Sequence, residues 1–228
     1  MKNFDHITSH LAMNVLDIPC EYHDGKRFYV TPEGEHYKSI TSILSELSKA
    51  AIQEWRNRVG EKTANRISRQ SSSRGTNAHK IIERYISNED NYINGSMPDS
   101  VELFKHIQPV LDKKIDNVRM IEGRLWSDEY KIAGTVDLIA DWDGILSAID
   151  WKTSLKHVND DHPKLEKYKI QGTAYAKMFE EHTKLPVDKV VIMMVSENAT
   201  VQVWERDAKD YVERLKEIVD SFYDIVVS

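Results

Sequence analysis

The sequence predicts an α/β sandwich with an amino-terminal helical cap. Residues 118–152 alternate as three strands in succession, residues 187–195 form a continuous apolar run, and stretches of helical periodicity precede, separate and follow them. At 228 residues the chain is long enough for one integrated domain with a substantial core.

In chain order, residues 1–38 read as a β-rich lead-in. Residues 27–30 and 36–38 flank Thr31, Pro32, Glu33 and Gly34, a turn with proline at its favoured second position, and so form a hairpin. Ser39 or Thr41 caps a helix carrying Ile43, Leu44 and Leu47, and a second helix carries Ile52 and Trp55 towards Gly60. Residues 60–73 then turn polar and basic. Arg58, Lys62, Arg66 and Arg69 fall at spacings of four, four and three, which lines them along one helical face, with Arg56 and Arg74 nearby. Only Glu54 and Glu61 are close enough in sequence to pair with them, so positive charge is in excess and phosphate tracking is favoured over a plain solvated face.

A helix starting near Thr76 or Asn77 has Ile81, Ile82, Tyr85 and Ile86 as its apolar positions and stacks His79 with Glu83. After a loop over 87–98, Asp99 or Ser100 opens a helix with Val101, Phe104, Ile107 and Leu111, which Pro109 is expected to kink or shorten. The strands follow: 118–126 with Glu122, 132–140, and 145–152, the last two joined by Asp143-Gly144, a strong signal for a two-residue hairpin turn. Pro163 suits the first turn of a helix to about Thr183. Residues 187–195 read as a buried strand and 200–204 as one nearer the edge. A final amphipathic helix over 208–226 carries Tyr211, Leu215, Ile218, Val219, Phe222 and Ile225.

The composition, 40% apolar and 30% charged with five tryptophans, is that of a globular chain, and no apolar run approaches the roughly 20 residues that span a bilayer. The start lacks the layout of a secretory signal or a transit peptide, so a cytoplasmic location in a bacterium or a phage-infected cell is expected. A single cysteine, Cys20, excludes an internal disulfide or a cluster held by several thiolates of this chain. The net charge of −6 leaves a local basic patch open.

Chemistry concentrates in residues 134–152. Strand alternation sets Asp150 and Lys152 on one side and Trp151 on the other, with Asp137 on the partner strand. Charges in such apolar segments are costly unless they are paired or bind metal. Taken alone, Asp-x-Lys is no more than a salt bridge. As a metal site, Asp137 and Asp150 suit a hard cation such as Mg²⁺ or Mn²⁺, and the Trp151 carbonyl lies where it can add an oxygen. Glu122 is either a further ligand or a surface carboxylate. Lys152 is placed to orient or help deprotonate an attacking water and to offset charge at phosphorus. The Cys-free, single-His arrangement argues against a zinc site of the Cys/His type, and no Walker lysine loop or Gly-x-Gly-x-x-Gly suggests a nucleotide cofactor.

These residues resemble the PD-(D/E)XK nuclease superfamily and its RecB-like branch: Asp137, then Asp150, Trp151 and Lys152, with Val136 where the superfamily name has proline. The stretch from Gly75 to His79 is similar to the branch's upstream helix motif, whose histidine joins the metal site. Gln171 and Tyr175 match its Gln-x-x-x-Tyr motif, whose side chains organise the site and the DNA beside it. Residues 39–44, 55–60, 74–76 and 134–137 further resemble the family of mitochondrial genome maintenance exonucleases with their phage and bacterial relatives.

The resemblance implies a restriction-endonuclease-like core, a central mixed sheet flanked by helices, over residues 74–228, with residues 1–73 as a hairpin and helical cap roofing the site. It implies a metal-dependent exonuclease acting on single-stranded DNA ends or flaps in replication, repair or recombination, alongside proteins of those processes. Asp137, Asp150, Trp151, His79 and Glu122 are then the metal group, Lys152, Asp150, Asp137 and Gln171 the catalytic group, and Arg58, Lys62, Arg66, Arg69, Arg74 and Tyr175 the DNA contacts. Two other readings stay open: a duplex-resecting recombination nuclease, and a non-catalytic nucleic-acid clamp on the same fold.

Overall fold

The computed structural model describes residues 2–7, 18–23 and 26–227. At its centre, β4 (Ile115–Ser127), β5 (Ile132–Trp142) and β6 (Ile145–Ser154) form the expected antiparallel meander. Asp143 and Gly144 link β5 to β6 with φ of 51° and 78°. Both are left-handed, as a type I′ turn demands, and this turn pairs Trp142 with Ile145 and so sets the register of every pair behind it.

From β6 the chain crosses through α5 (Pro163–Thr183) to β7 (Lys189–Ser196), which runs parallel to β6, and β8 (Val201–Asp207) returns antiparallel at the edge. On the amino-terminal side, β1 (Cys20–His23), β2 (Lys26–Val30) and β3 (His36–Ser39) make an antiparallel ribbon. The ribbon joins the main sheet by parallel pairing of Lys38 and Ser39 with Ile132 and Ala133. β5 therefore carries β4 along one edge and, along the other, first β3 and then, from Leu138 onward, β6. The result is a mixed sheet with helices on both faces, compatible with a nuclease-like core.

One face is covered by α1 (Ile40–Glu46), α5 and α6 (Val212–Val227), the other by α3 (Glu61–Ile86) and α4 (Pro98–Lys114). β7 explains its unbroken apolar run: Val190, Ile192 and Met194 enter one core while Val191, Met193 and Val195 enter the other. Ser39 caps α1, its Oγ accepting the Ser42 N–H at 3.1 Å. α5 is buried nearly all round because it lies between the sheet and α1 and α6. Among the described residues no helix is long and apolar enough to cross a membrane.

Several expectations are corrected. β1 was not foreseen. α3 does not begin at Thr76 or Asn77 but runs unbroken for 26 residues from Glu61, so residue 73 falls inside it. Asn77 points its amide back to the Ser73 carbonyl at 2.8 Å instead of capping, and α3 packs on α4 and β6; packing there overrides weak local propensity. Arg58 does not share that helix, since it lies on α2 (Lys49–Val59), which ends at Gly60. α4 continues through Pro109, held on both sides by buried Phe104, Ile107 and Leu111. The last helix starts as a 3₁₀ turn at Ala208–Tyr211. Lead-in residues 8–17 and the Ile225 side chain lie outside the described residues.

α5 packs so closely on β7 that a Cβ at Gly172 would stand 2.3 Å from Val190 Cγ1. Gly172→Ala is expected to lower stability in urea unfolding by about 1–3 kcal/mol, the usual cost of overpacking. Adding Val190→Ala should recover part of it; an unchanged midpoint in the single variant would show that α5 is free to shift.

Candidate active site

β5 and β6 separate after the Leu138 and Ile149 pair. The next facing residues in that register are Asp137 and Asp150, and no ladder bond joins them. Instead the Trp151 N–H donates to Asp137 Oδ2 at 2.9 Å, so a side chain takes over from the missing strand. On the other edge of β5 the register places Glu122 of β4 opposite Asp137, between the pairs of Ile121 with Leu138 and Gly123 with Val136. Glu122 has φ of 49°, a left-handed conformation that costs a non-glycine residue on the order of 1 kcal/mol. Three carboxylates thus form a row across three strands.

Helices close the row from either face. His79 of α3 reaches the Trp151 carbonyl with Nε2 at 3.0 Å, which requires the proton on Nε2 and turns Nδ1 towards Asp137 Oδ1 at 3.6 Å and Glu122 Oε1 at 3.9 Å. Ligating atoms of His79, Glu122 and Asp137 lie within 4.8 Å of one another. The Trp151 carbonyl, expected as a ligand, already accepts from His79 and retains a second lone pair. From α5, Gln171 Nε2 donates to Asp150 Oδ1 at 2.9 Å and to the Tyr175 hydroxyl at 3.2 Å. The Lys152 ammonium lies against Asp150 Oδ2 as a buried ion pair.

Burial and mutual charge set the protonation of this cluster. At His79 burial opposes the positive charge, but Asp137, Glu122 and Asp150 outweigh it and push the pKa up to about 9. Burial raises Asp150 to about 6, against the pull of the Lys152 ammonium and with Asp137 adding to the rise. Asp137 is raised too, chiefly by burial. Lys152 is likewise penalised by burial, but Asp150 and Asp137 hold its proton above the ordinary lysine range.

The predicted residues divide accordingly. Asp137, Asp150, Lys152, His79, Glu122, Trp151 and Gln171 converge at the strand separation. Tyr175, expected among the DNA contacts, is only 2% exposed, and its hydroxyl accepts from Gln171. Arg74 is turned inward and ion-paired with Glu197 in the turn between β7 and β8. Lys62, Arg66 and Arg69 are exposed on α3 and line an open groove, Arg58 stands exposed on α2, and none of the four forms an ion pair among the described residues. Sequence reasoning missed Tyr168, whose ring faces the Lys152 ammonium at 5.1 Å. The signal was present in its position three residues before Gln171 and seven before Tyr175, on one face of α5.

An α/β sheet opened between two central strands, with carboxylates, a lysine and a histidine gathered at the opening, is compatible with a nuclease-like core. No family model matches the chain. Over 126 residues, 52% of this chain, the sequence is 27% identical to mitochondrial genome maintenance exonuclease 1 of Mus musculus. The matched segment spans 37% of that protein, little more than a third. This weak homology supports a relationship to nucleases.

Asp150→Asn leaves the Lys152 ammonium without its charge partner. Unfolding in urea without added metal should show a loss of about 3 kcal/mol, the lower end of the range for a broken buried pair because Lys152 keeps 19% of its side chain exposed. Combining it with Lys152→Met should restore most of that loss; an equal loss in the double variant would show that the uncompensated Lys152 charge is not what destabilises the single one.

Proposed function

We propose that the chain is a divalent-metal-dependent deoxyribonuclease that hydrolyses phosphodiester bonds at single-stranded DNA ends or flaps in replication, repair or recombination. The observation that carries this reading is the row Glu122, Asp137, Asp150 at the strand separation, flanked by His79 and Lys152. The donor set fits a hard cation: His79, Glu122 and Asp137 bring carboxylate oxygens and one imidazole nitrogen within 4.8 Å of one another, with the Asp150 carboxylate beside them. Asp137, Glu122, Asp150 and His79 would hold Mg²⁺ or Mn²⁺. Such an ion, when bound, polarises the phosphoryl oxygen and lowers the pKa of a coordinated water.

The chain's own groups supply the rest. Lys152, which keeps its proton beside two carboxylates, donates hydrogen bonds that orient the attacking water and offsets negative charge growing at phosphorus. Gln171 fixes the Asp150 carboxylate, and Tyr175 fixes Gln171. Tyr168 limits the swing of the Lys152 ammonium. On this reading α2 and the exposed first turns of α3 form the roof, continuous with the nuclease core through α3. The exposed, unpaired Lys62, Arg66 and Arg69 support the single-strand preference, since a positive groove can track one phosphate backbone without reading sequence.

With end-labelled single strands and Mg²⁺, Asp137→Asn and Lys152→Ala should each cut the rate by about 10²–10⁴-fold, and chelation should abolish it. Full activity in either variant would end this reading. Resistance of circular strands identifies an exonuclease, and preferential cleavage of blunt duplex would favour the duplex-resecting alternative.

Replacing Lys62, Arg66 and Arg69 together by glutamine should weaken single-strand binding and flatten the plot of log K against log salt by about 2, from about 0.7 per phosphate contact. An unchanged slope would take these residues off the DNA path.

A further inference from the structure

The amino-terminal ribbon carries a cluster that the nuclease reading does not use. Glu21 and His23 stand two residues apart on β1 and therefore share a face. β2 offers Phe28 opposite Glu21, and β3 offers Lys38 opposite Phe28, which puts His36, two residues before Lys38, on that same face. The two imidazoles lean together above Phe28: the ring centroids of His23 and His36 are 5.4 Å apart, and those rings lie 6.0 and 6.5 Å from the Phe28 ring. His23 Nε2 is 3.1 Å from Glu21 Oε2, and ligating atoms of all three residues lie within 4.8 Å of one another.

We propose that Glu21, His23 and His36 bind a borderline transition-metal ion of the Zn²⁺ class and thereby tie β1 to β3 across β2. Two imidazoles and one carboxylate are a donor set that zinc accepts, and an imidazole-rich set disfavours Mg²⁺ and Ca²⁺, which take oxygen. Zinc bonds of about 2.0–2.1 Å in a tetrahedron need donors about 3.4 Å apart. All three side chains are exposed and free to close by that margin. The fourth position falls to water.

Neighbouring groups agree with this assignment. Cys20 lies on the opposite side of β1 by alternation, so the site is Cys-free. The Lys38 ammonium, on the same face, sits closer to the Phe222 ring of α6, at 4.7 Å, than to the Phe28 ring beneath the imidazoles, at 6.0 Å. Outer strands of a three-stranded ribbon are about 9.5 Å apart, so hydrogen bonds cannot join them directly and a bridging ion adds a link the backbone lacks. The ribbon meets the main sheet through Lys38 and Ser39, next to the start of β5, so the link stiffens the edge that leads to Asp137.

The test is equilibrium dialysis of the full chain against micromolar free Zn²⁺ in excess Mg²⁺ near neutral pH, followed by metal analysis. Wild type and Asp137→Asn should each retain one equivalent of zinc that His23→Gln/His36→Gln lacks. Zinc should also raise the melting temperature of Asp137→Asn, and lose that effect when the two histidines are replaced in the same background. Equal zinc content with and without the histidines would overturn the site. The measurement involves no DNA and no hydrolysis, so its outcome is independent of the nuclease reading.

Discussion

The centre of this structure rests on a hydrogen bond between a side chain and a main chain. Where β5 and β6 part, the Trp151 N–H has no strand carbonyl to meet, and an unpaired buried amide would cost about 1–3 kcal/mol. Asp137 Oδ2 supplies the acceptor, and His79 Nε2 satisfies the carbonyl of the same residue. A strand can therefore end its pairing inside the core without leaving orphaned groups. The same exchange fixes the Asp137 carboxylate and the His79 ring, so the device that lets the sheet open also aims these two side chains.

Charges placed at such an opening are held by partners from both faces. Lys152, Gln171 and Tyr168 restrain the β6 side, His79 and the strained Glu122 the β5 and β4 side. Asp150, in the middle of the arrangement, is held on one oxygen by Gln171 and on the other by Lys152.

Much of the site was legible because its signals are local. The Asp143-Gly144 turn sets register, and alternation then puts Asp150 and Lys152 on one side; helical spacing links Gln171 with Tyr175. Glu122 stayed ambiguous because its role depends on pairing with β5 across some fifteen residues, which composition does not reveal. The burial of Tyr175 and the ion pair of Arg74 were not foreseen for a related reason. An aromatic or an arginine near a motif reads the same whether it faces solvent or core, and only the close approach to Gly134 and the pairing with Glu197 decide it. The continuity of α3 was hidden by Ser71, Ser72, Ser73, Gly75 and Asn77, poor helix formers that packing against β6 and α4 holds in register. The ribbon cluster has no sequence signature, since Glu21 and His36 meet only once three strands are paired.

The unbroken α3 carries the exposed basic side chains near its start and His79 further along. With about 1.5 Å of rise per residue, Arg69 lies about 15 Å and Lys62 about 25 Å from His79 along the axis. On the proposed reading a rigid rod of this kind is a ruler. A strand end lying at the carboxylates must trail back over the helix before it meets the basic side chains, and a fragment shorter than that span engages one end of the ruler or the other. The helix therefore sets a minimum grip length, at which a strand being shortened would lose its hold and leave a short remnant.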